Sequence, residues 1–483
     1  MRSEERQPDN YKWYVLGVTT IGVLMFSIDG TVVILALPVI TVDLRSNLVN
    51  MIWVLMAYIF AATALLLALG RVADVYGRVR LYNLGFAVFT VGSALSGLSR
   101  TDIELIGARV VQGIGGALLI VNALAILTEV FPPWQRGTAL GFNAMTFGAG
   151  AVLGPILGGL ILSVASWPWI FLINIPIGIV GTYLSYRVLR PLPRLKGESL
   201  DLVGTTVFSA SLLALLLALT LSISVGFTAP PILALFAAFI IGLAYFIYHE
   251  AHTHCPAVDL RLFRSTLYDF SVVAALLQAL AIFAVQLLVV FYLQTVRDYA
   301  PLQAAFLLLP LPIALAIVSV ISGRISDRIG ARIPATAGLL LQAVGVFVLS
   351  TLTVSSPYLL IAAGLTLTGL GGGLFFAPNT SAAMTAAANV VPGRLGVASA
   401  TLATLRNTGQ VISFALALAV AASSLPRSVA LSLFTGTEST LTSMLKAAFV
   451  EGMRSAFHVS LAICLVAAVL SYVRGPEQRR QSR

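Results

Sequence analysis

The stretches without charge constrain this chain most. No Asp, Glu, Lys or Arg occurs between Arg136 and Arg187, between Asp201 and Glu250, or between Arg332 and Arg394. Each interval holds two apolar segments of about 20 residues, the length of helix that crosses roughly 30 Å of hydrocarbon. The segments lack period-two alternation and are too long for barrel strands, so they are read as helices that satisfy their own backbone polar groups. Composition agrees. The chain is 58% apolar and 10% charged, with a mean hydropathy of +0.96, whereas soluble domains are about 45–50% apolar and about 25% charged.

The pattern predicts fourteen spans, at 13–40, 48–69, 81–99, 103–128, 137–163, 168–189, 202–222, 229–249, 270–296, 302–322, 333–352, 357–386, 396–424 and 452–473. The net charge of +10 would suggest nucleic acid in a soluble protein, but here the basic residues lie between apolar runs and report orientation instead. With the N-terminus placed inside, 21 Lys and Arg fall in inner segments and five in outer ones, so both termini are expected in the cytoplasm. The first apolar run is too long for a signal-peptide core and is taken as retained. Cys255 and Cys464 give no disulfide framework.

One short motif occurs twice. Gly70, Arg71, Asp74 and Gly77 recur at the same spacing as Gly323, Arg324, Asp327 and Gly330. The chain therefore divides into an N-terminal six-helix bundle (1–200), an inserted pair of helices (201–250) and a C-terminal six-helix bundle (251–483). Parallel halves of this kind place a substrate site at their interface, near mid-membrane.

Against this apolar background the deep polar residues stand out. Asp29 is the one charge inside the first span, and an intramembrane acid is a functional candidate by default. Pro38, about 13 Å further along, is expected to end or bend that helix. Arg109 lies about 10 Å into the fourth span, near the depth of Asp29, with Gln112 one turn on. These two are expected beside Asp29, where they would tune its affinity for a proton; the alternatives are a fixed ion pair or an Asp satisfied locally. In the loop motif, Asp74 and Arg78, and likewise Asp327 and Arg328, are placed to make charge contacts between the halves, and Gly77 suits a tight turn. Gly150, Gly154 and Gly158, with Gly159 beside them, offer a smooth face for close helix packing, and Pro155 is expected to kink that helix. Arg406 and Asn407 sit mid-span, where Arg406 either lines a cavity or pairs with a carbonyl. His249, Glu250, His252, His254 and Cys255 lack metalloprotease spacing and are read as a linker, so no metal is expected. No Walker A pattern occurs, and no cluster of catalytic side chains suggests an enzyme or a cofactor.

These stretches together resemble the major facilitator superfamily, in particular its fourteen-helix drug:proton antiporters. The carriers of the resemblance are Asp29–Pro38, Leu105–Ala117, Gly70–Arg80, Gly150–Gly159, Trp169–Gly178 and Arg406–Gly409. Val75 departs from the family, which usually has Arg there, and Pro168 stands where Arg is common. The resemblance implies that Asp74 and Arg78 steady an outward-facing state, and that the Gly150–Gly159 stretch marks exporters rather than uptake carriers. It implies a monomer in the plasma membrane exporting small amphipathic compounds against protons by alternating access, with no nucleic-acid partner. The rivals are a dedicated exporter of one metabolite or antibiotic, and a non-transporting receptor or lipid-handling enzyme.

Overall fold

The computed structural model describes residues 10–46, 48–192, 201–253, 256, 258–299, 301–391, 395–423 and 443–475. Every regular element among them is helical. In order these are α1 (Tyr11–Asp43), α2 (Leu48–Tyr76), α3 (Arg78–Leu98), α4 (Asp102–Val130), α5 (Arg136–Val164), α6 (Trp169–Leu172), α7 (Asn174–Val188), α8 (Leu202–Val225), α9 (Pro230–His252), α10 (Thr266–Phe291), α11 (Pro301–Leu307), α12 (Pro310–Ile329), α13 (Arg332–Ser350), α14 (Tyr358–Val390), α15 (Leu395–Ser423) and α16 (Ser443–Val473). Among the described residues, eleven stretches are long and apolar enough to cross a membrane. Two shorter apolar stretches, Trp53–Leu66 and Val203–Leu219, lie within α2 and α8. The chain is a multi-pass, all-helical membrane protein.

Local chemistry explains where helices start and stop. Thr101 accepts the Glu104 N–H at 3.2 Å, and the Glu104 carboxylate accepts the Arg100 N–H at 2.7 Å, so side chains satisfy donors that the start of α4 leaves open. Gly77 and Gly330 have φ of 106° and 91°, a region that favours glycine, so both copies of the loop motif turn in the same way. Pro176 has no N–H for the Leu172 carbonyl, and the sixth span is split into α6 and α7 there. Pro310 and Pro312 likewise divide the tenth span into α11 and α12. Pro38 does not end its helix, because α1 continues to Asp43. In α5 the helix also runs uninterrupted through Pro155.

The last helix corrects the reading of its span. It begins at Ser443, not near 452, so residues 443–450 are helix rather than outer loop. Lys446, Glu451 and Arg454 hide this in a hydropathy window. The apolar residues between them keep helical spacing, and Phe449, Val450, Met453 and Phe457 are buried with Val289, Tyr292 and Leu349. Residues 424–442 of that loop, His254 and Cys255 of the polar cluster, Arg394, and Arg2, Arg6, Arg479, Arg480 and Arg483 of the tails lie outside the described residues.

Helices α1 to α7 pack among themselves, with α4 held against α1, α2 and α3, and with α5 and α7 on α1. Helices α10 and α12 to α16 form a second group. The groups meet where α2 packs on α15 and α5 packs on α12. Helices α8 and α9 pack on each other, and the Ser209 hydroxyl ties α8 to the Ala64 carbonyl of α2 at 2.9 Å.

The glycine face of α5 is turned toward α1. Gly150, Gly154 and Gly158 meet Ser27, Thr31 and Val32, whereas Gly159 faces Leu302 of α11. A Cβ on Gly154 would lie 2.0 Å from Thr31 Oγ1 and 2.9 Å from the Ile28 carbonyl oxygen. Gly154→Val is therefore expected to destabilise the fold by about 1–3 kcal/mol through overpacking. Thermal unfolding in detergent checks this. The control is Gly107→Ala, where an added Cβ meets nothing within 4 Å.

Candidate functional site

Asp29, Arg109 and Gln112 meet in one buried cluster. Asp29 on α1 and Arg109 and Gln112 on α4 are all 0% exposed. Arg109 pairs with Asp29 Oδ2 through one terminal nitrogen, which also donates to Gln112 Oε1 at 2.6 Å. Gln112 Nε2 donates to Asp29 Oδ1 at 2.7 Å and to Ser93 Oγ on α3 at 2.7 Å. Asn174 Nδ2, from the first residue of α7, reaches Asp29 Oδ1 at 3.0 Å. The Arg109 Nε–H donates to the Val54 carbonyl at 3.2 Å, and its guanidinium lies 4.2 Å from the centre of the Tyr58 ring. Charged and amide donors thus surround one fully buried carboxylate.

Sequence spacing placed Arg109 near the depth of Asp29 with Gln112 one turn on, and the structure brings the three into contact. It adds Asn174, Ser93 and Tyr58, to which spacing assigned no part in the site. The signal for Asn174 was a lone amide two residues before Pro176, and its place depends on the break between α6 and α7. Chemically, the site can hold one proton. Protonating Asp29 would leave a guanidinium charge without its counter-charge in a buried place, so a proton arriving here must alter the packing or the partner.

A second constellation joins the two helix groups. Asp74 on α2 accepts the Gly396 and Val397 N–H groups, at 2.9 and 3.1 Å, at the start of α15. Asp327 on α12 accepts the Gly137 and Thr138 N–H groups at 2.9 Å each and the Thr138 hydroxyl at 2.7 Å, at the start of α5. Each aspartate sits where the helix dipole is positive and backbone donors are open. Arg78 is buried and holds Asp74 through Nε at 3.0 Å and a terminal nitrogen at 2.9 Å. Arg78 also pairs with Glu129 of α4, a partner that the loop motif does not reveal. The copies differ here: Ala331 stands where Arg78 stands in the first, and Arg328 is exposed. Gly323 packs on the Gly137 carbonyl, whereas the surroundings of Gly70 and the side chain of Arg71 lie outside the described residues.

Arg406 on α15 is partly exposed between two rings, 5.8 Å from the centre of Phe147 on α5 and 5.1 Å from that of Phe376 on α14. It makes no hydrogen bond to a carbonyl among the described residues. Asn407, next to it, is buried. The polar cluster at the base of α9 serves local structure. His249 Nε2 pairs with Asp201 at 2.9 Å, and Glu250 accepts the Val258 N–H at 3.0 Å. Partial burial pushes the Asp201 carboxyl up, but the Gly204 N–H and the His249 ring outweigh it and hold it below the usual carboxylate range.

The Major Facilitator Superfamily profile matches residues 19–414. The chain is 32% identical over 413 residues to the riboflavin transporter RibZ of Clostridioides difficile (strain 630), covering 84% of this chain and 87% of that one. It is 32% identical over 399 residues to the multidrug resistance protein Stp of Mycobacterium tuberculosis (strain CDC 1551 / Oshkosh), covering 82% and 74%. The solved structure of the proton:xylose symporter XylE bound to 6-bromo-6-deoxy-D-glucose superposes with a TM-score of 0.64 at 13% identity, over 96% of this chain and 95% of that one, which shows a shared fold. By profile, relatives and fold, the chain belongs to the Major Facilitator Superfamily of transporters.

Proposed function

We propose that this transporter is a proton-coupled exporter of small amphipathic compounds, working by alternating access. The observation that carries the proposal is the buried Asp29 with its donors Arg109, Gln112 and Asn174. A carboxylate at that depth is costly, roughly 2.5–3.5 kcal/mol on insertion scales, and intramembrane acids mark proton paths. In this reading Asp29 takes a proton from the outer side, the halves rock, and the inward-facing environment releases it as substrate binds. The energy is adequate, since one charge moved through 100 mV is worth about 2.3 kcal/mol. The paired aspartate contacts close the cytoplasmic end and steady the outward-facing state.

The same reading assigns fourteen spans. Helices α2, α8 and α15 join the eleven apolar stretches; α2 and α8 each contain a shorter apolar helix, and α15 runs for 29 residues. It places both termini in the cytoplasm, with a six-helix bundle on each side of the α8–α9 pair, and it takes the protein as a monomer. Stp's multidrug resistance name supports a broad exporter, and RibZ's name favours the second reading, a transporter dedicated to one compound.

The test is flux in proteoliposomes under an imposed pH gradient, with fluorescent amphipathic compounds and riboflavin as substrates. Expected is substrate movement matched by opposite proton movement and abolished by a protonophore. Flux that persists unchanged when the gradient is collapsed would overturn proton coupling.

A further inference from the structure

We propose that Arg406 is the anchor for a negatively charged group on the substrate, so that this transporter selects planar aromatic anions and disfavours cationic dyes. The inference rests on the export reading above and names the substrate class within it. Arg406 lies about 17 Å from the start of α15, at mid-depth in the helix. Its two ring neighbours come from opposite helix groups: Phe147 from α5 and Phe376 from α14. The guanidinium therefore sits between the halves, where a transported molecule must pass.

Arg406 differs from Arg109 in one respect that matters. Arg109 spends its charge on Asp29 and its donors on Val54 and Gln112. Among the described residues, Arg406 makes no ion pair within 4 Å and no hydrogen bond; its contacts are the two ring faces. Aromatic faces attract the cation but accept few of the five N–H donors that a guanidinium carries. An unpaired charge at this depth is expensive and kept for use. Its donor fork suits a carboxylate held by two parallel hydrogen bonds, and the adjacent rings suit a flat aromatic body.

With Asp29 neutralised by Arg109, the interface carries net positive charge at Arg406. A cationic ligand would meet repulsion there, and an anionic one would meet its first counter-charge. The protein then moves a weak aromatic acid outward against protons.

Two xanthene dyes of similar shape and opposite charge supply the test: fluorescein and rhodamine 123. Binding to the purified full-length protein in detergent, read by anisotropy, needs no gradient and so does not depend on proton coupling. Expected are tighter binding and faster proteoliposome flux for fluorescein, assayed by extraction. Arg406→Gln should weaken fluorescein binding at least tenfold, Arg406→Lys several-fold, and Arg406→Glu should reverse the preference toward rhodamine 123. Elution volume and melting temperature of each variant check folding. Rhodamine 123 bound in preference by the wild type, no binding of fluorescein, or fluorescein binding unaffected by Arg406→Gln in folded protein would each overturn the proposal. Gradient-independent fluorescein flux that Arg406→Gln removes would instead overturn proton coupling and leave this inference standing.

Discussion

Asp29→Asn should reduce gradient-driven transport to background and should also lower stability. Asn is nearly isosteric and can still accept from Gln112 and Asn174, but it cannot take up and release a proton at working pH. It also removes the counter-charge of a guanidinium that is 0% exposed. Breaking a buried pair by removing one partner costs about 3–5 kcal/mol, because the remaining charge is stranded. The melting temperature in detergent should therefore fall together with the flux, and the loss of transport alone would not identify the proton site. The double variant Asp29→Asn/Arg109→Gln separates the two effects. It removes both charges, so it should regain much of the lost stability while transport stays uncoupled. Flux that still follows the pH gradient in either variant would place coupling elsewhere and leave Asp29 as a structural residue.

The second large effect is expected at the clasped end. Asp327 accepts three hydrogen bonds from the start of α5, and Asp74 accepts two from the start of α15. Hydrogen bonds to a charged group contribute about 1.5–3 kcal/mol each in the folded state, and a helix N-terminus adds up to about 2 kcal/mol. Removing one aspartate should thus favour separation of these helix ends by about 3 kcal/mol, more than a hundredfold in population. Asp74→Ala/Asp327→Ala should lock the transporter open at this end and stop turnover. Spin labels on either side of the α5–α12 contact, in a Cys255→Ser/Cys464→Ser background, would report the distance. A distance distribution identical to the parent protein would mean that the aspartates do not hold the halves together. Asp327→Asn should show a smaller shift, since its carbonyl oxygen still accepts from a backbone N–H.

How much of this was legible depends on what kind of partner each residue has. Asp29, Arg109 and Gln112 could be grouped from the chain alone, because each is a rare polar residue in an apolar helix and a constant rise per residue converts position into depth. Asn174 could not, since it enters the pocket only after Pro176 breaks the sixth span into two pieces. Glu129 was hidden because an acid at a helix end looks like any solvated terminus until Arg78 is seen turned inward. The true start of α16 was masked by three charges, Lys446, Glu451 and Arg454, interspersed among the buried Phe449, Val450 and Met453. The main-chain partners of Asp74 and Asp327 across the two halves were the least legible: N–H groups occur at every helix start and have no letter in a sequence.

Recognition through main-chain groups at the clasps governs how the two halves can change over time. At each clasp one half must supply an aspartate, while the other needs mainly a helix that begins in the right place, with the added demands that Gly137 leave room for Asp327 and that residue 138 carry a hydroxyl. The letters on the receiving side are otherwise free to drift. A hybrid that joins residues 1–200 of this chain to the corresponding second half of a distant relative would keep the Asp74 clasp wherever that half starts a helix opposite it. Compatibility between halves is then inherited through backbone shape, and exchange of whole halves becomes an accessible route to new transporters.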